Sequence, residues 1–348
     1  MKYYLIAGEA SGDLHGSNLM KGLLRSDPQA EFRFWGGDLM AAVGGREHLA
    51  KHYRDASFFG IGEIVRRLPT VLAQIRECKR DIAAYAPDVL VLIDYPGFNF
   101  RMAKFAHGCG IRVFYYISPK VWAWKEHRVE RIRRYVDKLF IIFPFEVEYF
   151  ARRGIDAVYE GNPLMDAIAE RCAAMPLREE FFRANGFGAR PVIALLAGSR
   201  IICLYDKTYE IVRYADAAVV TSGTATLETA LIGTPEVVCY RTDALTVWAG
   251  RRLLKIPYIS LVNLVMGREV VKELIQQEMT PERAAEELRA ILPGGGQRER
   301  MLADYDALRK RIGGPGASER VAARMVALLK GEKAPRPTER EQENGGAK

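Results

Sequence analysis

The sequence predicts an α/β protein built from two parallel β-sheets, and three observations lead to this prediction. Short apolar runs alternate with segments of helical period along the chain. These runs are continuous rather than alternating, which is typical of strands that helices cover on both faces. The chain has 348 residues, a length that suits two domains better than a single hydrophobic core.

The predicted strands fall into two groups. Repetition of strand and helix implies parallel sheets with right-handed crossovers. A mostly helical stretch, broken at Pro176 and Gly186, separates the groups. The apolar runs predicted as strands are residues 3–7, 32–35, 89–93, 112–117 and 139–143 before that stretch, and 192–196, 217–221 and 236–240 after it.

The same pattern predicts the domain boundaries. Near the end of the chain an amphipathic helix begins around Ser318, a residue placed to cap it. The last residues are polar and rich in Pro, Gly and charge, which is typical of a disordered tail. The predicted divisions are a first domain at 1–165, a connection at 166–190, a second domain at 191–310, a C-terminal helix at 311–330 and the tail at 331–348.

Composition and charge narrow the class of function. No run is long and apolar enough to span a bilayer, and the N-terminus lacks the pattern of a signal peptide, so we expect a cytoplasmic protein. The net charge of +8 favours anionic partners, such as nucleotides, phosphorylated substrates or an acidic membrane surface. The five cysteines form no CxxC pair, and no nucleic-acid-binding signature is present. We therefore expect neither a metal site nor a nucleic-acid partner.

The first motif, AGEASGDLHGSNL, runs from a predicted strand through a Gly/Ser turn into a helix. Glycines let the backbone approach a ligand, and amides at the start of a helix attract anions. Ser11, Asp13 and His15 add polar groups. The spacing is not that of a dinucleotide fingerprint, and a plain turn with Asp13 capping the helix remains an alternative.

The second motif, VLIDYPGFNF, delivers Asp94 to the end of a buried strand. A carboxylate there can serve as a general base, because burial raises its pKa towards the working pH. The alternative is that Asp94 caps a helix that starts near Phe98.

The third motif, YYISPKVWAWKEHRVERIRRY, places Trp122 and Trp124 after a strand end, with arginines from Arg128 onward. Aromatic rings stack on sugars and guanidinium groups bind phosphate, so a sugar-phosphate ligand fits this pattern. A solvated basic helix behind two core tryptophans is the alternative.

A basic, apolar stripe covers residues 58–80. Such a helix can lie on an anionic membrane surface, although a stripe of this kind more often faces the core. Pro69 is expected to interrupt the helix. The apolar residues considered for membrane docking are Ile61, Ile64, Val65, Leu68 and Leu72.

Two further motifs lie in the predicted second domain. TSGTATLETAL offers Ser222, Gly223 and Thr224 to a diphosphate, and Glu228 to the hydroxyls of a ribose. SLVNLVMGREVVKEL places Asn263 and Arg268 in an apolar stretch, where they either satisfy buried backbone or contact a ligand.

Taken together, these segments resemble lipid-A-disaccharide synthase, a family of bacterial glycosyltransferases. AGEASGDLHG, IDYPGFNF, YISPKVWAW, GNPLMDA, SGTATLETAL and SLVNLVMGREVV stand in the family's order, between residue 1 and about residue 290. The resemblance implies the GT-B fold class, in which two Rossmann-like domains face a cleft. It implies no metal ion and no cofactor, with helix amides and basic groups stabilising the leaving group.

The resemblance also implies a reaction. UDP-2,3-diacylglucosamine and 2,3-diacylglucosamine 1-phosphate (lipid X) would give the β-1,6-linked lipid A disaccharide 1-phosphate and UDP. Since the donor linkage is α and the product linkage is β, a single in-line displacement is the simplest mechanism. The implied partners are these two substrates and the anionic inner face of the inner membrane, and a homodimer is left open.

Roles for individual residues follow from the resemblance. Asp94 would deprotonate the acceptor 6-hydroxyl, with His15 near it in a proton relay. Arg200 would bind the diphosphate and Glu228 the ribose. Further candidates are Ser222, Gly223, Thr224 and Asn263 for the UDP-sugar, and Ser11, Trp124 and Arg128 for the acceptor or its phosphate.

The chain departs from the family after Arg200. The family continues with a helix, a strand, a second helix and a further strand, whereas IICLYDKTYEIVRYADA follows here at once. About one βαβ unit, roughly 30 residues or more, is missing, and the second sheet is expected to be shortened. Three functions stay open: the glycosyltransferase, another nucleotide-sugar enzyme such as a UDP-sugar 2-epimerase, and an inactive, internally deleted relative.

Overall fold

The structure, a computed structural model, describes residues 1–56, 68–188, 191–196, 207–221, 223–242 and 256–331. The chain divides into two compact units. The first consists of Met1–Asp166 and the chain from Pro315 onward, and the second of Ala167–Gly314. Each unit is built on a parallel sheet of its own.

The first unit contains a parallel sheet in the order β3-β2-β1-β4-β5-β6-β7. This order reverses direction beside β1, at the junction with β4, which is where open α/β sheets bind their ligands. The strands are β1 Lys2–Ala7, β2 Glu31–Gly36, β3 Leu49–His52, β4 Val89–Ile93, β5 Arg112–Tyr116, β6 Lys138–Ile141 and β7 Ala157–Tyr159.

Helices cover both faces of this sheet. One core cluster lies beneath α4, α5 and α6, and another beneath α1, α2 and the C-terminal helix α15. The helices of this unit are α1 Ala10–Ser26, α2 Asp38–Gly44, α3 Tyr53–Ala56, α4 Leu68–Tyr85, α5 Pro96–Gly108, α6 Val129–Tyr135, α7 Phe145–Ala151 and, at the end of the chain, α15 Ala317–Leu329. Helix α8, Leu164–Ala173, spans the boundary between the first and the second unit.

The C-terminal helix returns to the first unit, and its start corrects one prediction. Ser318 does not cap the helix, because it lies inside the first turn and its hydroxyl has no hydrogen-bond partner in the described structure. The cap is provided instead by the carboxylate of Asp166. It accepts the backbone N–H of Gly316 and, at 2.8 Å, that of Ser318. A residue far away in the sequence thus replaces the local cap.

The second unit contains a parallel sheet whose described strands follow the order β11-β10-β9-β8. These strands are β8 Ile193–Leu196, β9 Ala217–Val220, β10 Glu236–Tyr240 and β11 Lys272–Ile275. The helices are α9 Arg178–Asn185, α10 Thr208–Tyr214, α11 Thr224–Ile232, α12 Leu261–Met266, α13 Pro281–Ile291 and α14 Arg298–Ile312.

The predicted α/β class with two parallel sheets is confirmed, and all eight predicted strands are present. Strands β3, β7 and β11 were not predicted. Pro69 lies within α4 Leu68–Tyr85, and the residues before Leu68, where the expected interruption of the helix falls, lie outside the described part of the chain. None of the helices among the described residues is both long and apolar enough to cross a membrane.

Candidate active site

Three of the predicted motifs meet at the carboxyl edge of the first sheet. Strands β1, β4 and β5 are neighbours, and their ends pair as Ala7 with Ile93 and Ile93 with Tyr116. The loops that follow these strands therefore begin side by side. Gly8, Asp94 and Ile117 are the first residues of these loops.

Backbone strain is concentrated at this edge. Of the six non-glycine residues with positive φ in the described chain, four belong to these loops: Asp94 (41°), Tyr95 (45°), Ile117 (63°) and Lys125 (56°). Each such residue costs about 1–3 kcal/mol and persists only where its surroundings enforce it. Clustered strain of this kind is typical of functional sites.

Two buried polar side chains hold Asp94 in its left-handed conformation. Asn99, which is fully buried, donates its Nδ2 to the carbonyl oxygens of Ile93 at 3.2 Å and Asp94 at 2.8 Å. The hydroxyl of Tyr115 donates to the same Asp94 oxygen at 2.6 Å. The backbone of Asp94 is thus held by three hydrogen bonds to this turn.

The Asp94 side chain is half-buried, and its charge state is tuned by its surroundings. Burial raises the pKa of Asp94 to about 6, and the nearby Glu9 carboxylate acts in the same direction. The ammonium group of Lys120 and the backbone N–H of Tyr95 act in the opposite direction. A carboxyl group with a pKa near the working pH is well suited to act as a general base.

Asp94 is not the helix cap of the alternative interpretation. The N-cap of α5 is Tyr95, and no side chain caps this helix. The Tyr95 ring lies over the loop after β1, where a Cβ atom on Gly8 would come within 2.3 Å of it. Glycine at position 8 is therefore required by close packing against Tyr95.

Ser11 and Asp13 have local partners in the structure. Ser11 is exposed and donates its hydroxyl to Glu9 Oε1 at 2.6 Å. Asp13 is buried and accepts the backbone N–H groups of Gly37, Leu39 and Met40 at 2.7 to 3.0 Å. Asp13 therefore caps the start of α2. The alternative interpretation, in which Asp13 caps its own helix α1, was wrong.

His15 lies on α1 and faces Asp166. Burial lowers the pKa of His15 to about 4, although the Asp166 carboxylate acts in the opposite direction. Its Nδ1 atom is buried and has no hydrogen-bond partner among the described residues. The charges that act on Asp94 come from Glu9 and Lys120, so no described interaction joins it to His15.

The two tryptophans of the third motif have different surroundings. Trp122 is half-buried and donates its Nε1 to Glu146 at 3.0 Å, with its ring edge-on to Phe143 and Phe145. Trp124 is 47% exposed. Trp122 therefore anchors the loop, and Trp124 presents an open ring to solvent.

Cations flank the open ring of Trp124. The Nζ of Lys125 lies 4.0 Å from the ring centroid and the Cζ of Arg128 lies 5.9 Å from it. Burial, and then repulsion by Arg131, lowers the pKa of Arg128, which nevertheless stays a cation. An aromatic face beside two cations suits a phosphorylated sugar.

Glu228 lies one turn into α11 of the second unit and is half-buried. The hydroxyl of Tyr209 donates to its Oε1 at 3.2 Å. Burial raises the pKa of Glu228, and the bond from Tyr209 opposes this effect. The Glu228 carboxylate can still accept hydrogen bonds from the two hydroxyls of a diol, and the bond from Tyr209 orients this carboxylate.

The start of α11 is a tight turn. Gly223, with a φ of 81°, precedes the exposed Thr224, and its carbonyl accepts the Thr226 hydroxyl at 2.8 Å. Thr226 Oγ1 in turn accepts the N–H of Leu261 at 3.3 Å, and Gly223 forms a bridge with Ser260. The turn is thus tied to α12.

Asn263 is fully buried, and its side chain is fully used within the fold. Its Oδ1 accepts the N–H groups of Val270 and Val271, and its Nδ2 donates to Val271 O and Glu273 Oε1. Contact with a ligand would require breaking these bonds. Of the two alternatives given for this motif, the structure therefore favours the one in which Asn263 forms hydrogen bonds with buried backbone groups.

Several predicted residues lie outside the described part of the chain. These are Arg200 and Ser222 of the UDP-sugar set and Ile61, Ile64 and Val65 of the docking set. The side chain of Leu68 is also outside it. Further along α4, Leu72 is 43% exposed whereas Ile75 is buried in the core.

The sequence interpretation missed four residues at these two places: Asn99, Tyr115, Lys120 and Tyr209. All four stand within quoted segments, and a polar residue in the apolar start of a helix is a signal for Asn99. Tyr115 and Tyr209 reach their carbonyl and carboxylate partners only through the fold.

Comparison with protein families gives a match over most of the chain. The sequence model of the family described as "Lipid-A-disaccharide synthetase" matches residues 3–202 and 201–322. The two matched segments meet directly after Arg200. This is the place where the chain was predicted to depart from the family.

Curated relatives match over nearly their whole length. Lipid-A-disaccharide synthase of Myxococcus xanthus (strain DK1622) is 36% identical over 375 residues, covering 93% of this chain and 97% of the relative. The enzyme of Syntrophus aciditrophicus (strain SB) is 36% identical over 380 residues, covering 94% and 97%. Both alignments are longer than this 348-residue chain, so they contain positions with no counterpart here.

Solved structures share the fold at low sequence identity. The UDP-GlcNAc 2-epimerase from Neisseria meningitidis bound to UDP-GlcNAc has a TM-score of 0.63 and 11% identity, covering 95% of this chain and all of that one. A ugt transferase from Siraitia grosvenorii in complex with UDP has a TM-score of 0.57 and 13% identity, covering 94% and 98%. These likenesses confirm the GT-B fold class. The family match and the curated relatives show that this chain belongs to the lipid-A-disaccharide synthase family of glycosyltransferases, which acts in lipid A biosynthesis.

Proposed function

We propose that this chain transfers the sugar of UDP-2,3-diacylglucosamine to the 6-hydroxyl of 2,3-diacylglucosamine 1-phosphate. The products are the β-1,6-linked disaccharide 1-phosphate and UDP. The observation that carries the proposal is Asp94, a carboxyl group with a pKa of about 6 on a strained turn that Asn99 and Tyr115 hold in place.

In the proposed step, the Asp94 carboxylate accepts the proton of the acceptor 6-hydroxyl. The hydroxyl oxygen attacks C1 of the donor sugar as the bond from C1 to the diphosphate oxygen breaks. The electron pair of that bond leaves with UDP, and the configuration at C1 inverts. A general base contributes about 10²–10⁴-fold to such a reaction. His15 keeps a neutral ring at neutral pH, since its pKa is about 4, and it would serve as a relay only without a charge of its own.

The second unit would hold the UDP group. Glu228, oriented by Tyr209, would accept hydrogen bonds from the ribose hydroxyls. Gly223 and Thr224 at the start of α11 would face the diphosphate, together with Ser222 and Arg200, which lie outside the described residues. Asn263 would act indirectly, by supporting the segment at α12 that is tied to this turn.

The acceptor would bind at the first unit. The open ring of Trp124 would stack on a sugar face, and Arg128 would pair with the 1-phosphate. Ser11 is exposed at the neighbouring loop and offers a hydroxyl. These residues follow strands β5 and β1, on either side of the β4 strand that delivers Asp94.

Both substrates carry acyl chains, so we place the enzyme as a peripheral protein on the inner face of the inner membrane. The exposed Leu72 on α4 supports a docking surface there, as does the basic character of residues 58–80. Ile64→Glu with Leu72→Glu should release the protein from anionic vesicles. Leu177→Glu, at a 68% exposed leucine of the second unit, is the matched control and should leave binding unchanged.

The activity is tested with purified protein, the two lipid substrates and separation of the product by thin-layer chromatography. We expect a disaccharide 1-phosphate with the wild-type chain and about 10²–10⁴-fold slower formation with Asp94→Asn. Folded wild-type protein that forms no product would contradict the proposal.

A second candidate is an internally deleted relative that has lost catalysis but binds membranes. The observation that favours it is the family match in two segments that meet after Arg200. Vesicle binding by the wild-type chain without any product would support this candidate.

A further inference from the structure

We infer that Thr226 is a positioning residue for nucleotide binding, because its hydroxyl ties the turn proposed to face the UDP diphosphate to helix α12. The inference rests on the proposed UDP site at the start of α11. Thr226 stands within a quoted motif, but the sequence interpretation considered its neighbours Gly223 and Thr224 and not Thr226 itself. Thr226 is fully buried, so it would act through these neighbours and not by touching the nucleotide.

The turn at the start of α11 is open on its outer side. Apart from its chain neighbours, a Cβ atom on Gly223 would meet no described atom within 4 Å, and Thr224 is exposed. No side chain among the described residues caps this helix. Backbone N–H groups at the start of a helix bind anions, and the direction of these groups depends on how the turn is held.

The Thr226 hydroxyl holds this turn through two hydrogen bonds to different elements. It donates to the carbonyl oxygen of Gly223 at 2.8 Å, and it accepts the N–H of Leu261, at the start of α12, at 3.3 Å. The bridge between Gly223 and Ser260 is a second link between the same two segments. One buried hydroxyl therefore connects the inner side of the turn to a neighbouring helix.

The α12 end of this link is fixed by the second sheet. Glu273 on β11 accepts the backbone N–H groups of Ile259 at 3.0 Å and Ser260 at 2.9 Å. Ser260 is fully buried, and its hydroxyl oxygen accepts the N–H of Val262 at 3.1 Å. Thr226 thus ties the turn to a segment that β11 itself holds in place.

Thr229, one turn further along α11, is a matched comparison for Thr226. It is also fully buried, and its hydroxyl donates to the carbonyl oxygen of Ala225 at 2.8 Å. Within the described part of the chain, this hydroxyl makes no hydrogen bond to another helix or strand. The two threonines therefore share their burial and their bond within α11, and they differ in the link to α12.

The competing account is that Thr226 only stabilises the second unit. Both accounts predict a less stable protein for Thr226→Val, because the N–H of Leu261 loses its partner. They differ in the part of the nucleotide that is affected. A displaced turn weakens contacts with the diphosphate alone, whereas a smaller fraction of folded protein lowers the binding of every part of the nucleotide equally.

The experiment measures, by ligand-observed NMR, the affinity of the full chain for UDP and for uridine, which lacks the phosphates. Thr226→Val keeps the shape of the side chain but removes the hydroxyl, so it should weaken UDP binding about threefold or more. Its affinity for uridine should stay within about twofold of wild type. Thr229→Val, the control, should bind both ligands like wild type, and Thr226→Ser, which keeps the hydroxyl, should restore UDP binding.

Unchanged UDP affinity in Thr226→Val, or equal losses for UDP and uridine, would show that Thr226 is only structural. The same loss specific to UDP in Thr229→Val would overturn the role of the link to α12. Wild-type protein that does not bind UDP would overturn the inference together with the proposed UDP site. If Thr226→Val does not fold, Thr226→Ala decides by the same comparison, with Thr229→Ala as its control.

These binding measurements need no turnover, so they separate the inference from the proposed function. The expected pattern of UDP and uridine affinities in a protein that forms no product would contradict the proposed function alone. Product formation by the wild-type chain, beside unchanged UDP affinity in Thr226→Val, would contradict the inference alone.

Discussion

Strand β4 of the first unit and strand β8 of the second unit differ in how completely the fold encloses them. All five residues of β4 are fully buried. In β8, Ile193 is 44% exposed and Leu195 is 38% exposed, and both point to the same face. Strands of a parallel sheet are normally covered on both faces, as β4 is.

The difference coincides with the departure from the family. Strand β8 is the outer strand of the described second sheet, and the chain after it is where the two matched segments of the family meet. A missing βαβ unit would leave β8 with less cover. The first unit thus has an enclosed central strand where Asp94 follows β4, whereas the outer described strand of the second unit is partly exposed.

The largest expected effect is on Asp94. Asp94→Asn keeps the size of the side chain but removes the base, so kcat should fall by about 10²–10⁴-fold. Affinity for UDP, measured by calorimetry, should stay unchanged because the substitution does not alter the second unit. A variant that retains turnover within a fewfold of wild type would remove Asp94 as the base.

A matched pair of leucines tests the enclosure of the two sheets directly. Leu92→Ala in β4, at a fully buried position, should lower the free energy of unfolding by about 2–5 kcal/mol. Leu195→Ala in β8 should lower it by about 1 kcal/mol or less, because its side chain is already partly hydrated. Urea denaturation compares them, and equal losses would contradict the difference between the sheets.

A buried carboxyl group in the second unit gives a pH-dependent effect. Glu236 at the start of β10 is fully buried, neither oxygen has a hydrogen-bond partner among the described residues, and burial raises its pKa well above the usual value. The folded protein therefore holds a proton that the unfolded chain releases. Below the pKa of this glutamate in the unfolded chain, about 4.3, its contribution to the free energy of unfolding is fully present. As the pH rises above that value, the free energy of unfolding falls by about 1.4 kcal/mol per pH unit, until the pKa of Glu236 in the folded protein is reached.

Glu236→Gln should abolish this dependence, so its unfolding free energy should exceed that of wild type increasingly from pH 5 to 8. Denaturation at each pH measures the difference between the two proteins. Glu299→Gln, at an exposed glutamate of the same unit, is the control and should follow wild type. A constant difference between Glu236→Gln and wild type across this range would contradict the account.

The smallest expected effect is at Glu228, the carboxylate proposed to bind the ribose. Tyr209→Phe removes the hydroxyl that donates to Glu228, and one such hydrogen bond contributes about 0.5–1.5 kcal/mol. UDP affinity should fall about two- to tenfold, as read by calorimetry. Glu228→Gln should weaken binding in the same direction, and unchanged affinity in both variants would remove this pair from the UDP site.

The fold was predictable where burial is complete. Continuous apolar runs gave the central strands, and the ends of β4 and β10 were predicted to the residue. Strands β3 (LAKH), β7 (AVY) and β11 (KELI) were missed, because they are short, lie at sheet edges and carry few buried side chains. Such strands form through pairing with a neighbour and not from their own pattern.

The candidate site was predictable only in part. Asp94 follows from its place at the end of a buried strand, but the left-handed turn and its support by Asn99 and Tyr115 depend on tertiary contacts. Long-range caps were missed for the same reason. Asp13 caps α2 and Asp166 caps α15, whereas the sequence offered Asp13 as an alternative cap for α1 and predicted Ser318 as the cap of α15.

The pH dependence of product formation tests the central claim most directly, because it asks at once whether the chain is active and whether a carboxyl base limits it. With both substrates below saturation, kcat/KM should rise with pH through a midpoint of about 6 and then level off, since Asp94 must lose its proton to act. The midpoint should move upward in Lys120→Met. A profile that is flat between pH 5 and 8, or folded protein that forms no disaccharide at any pH, would contradict the account.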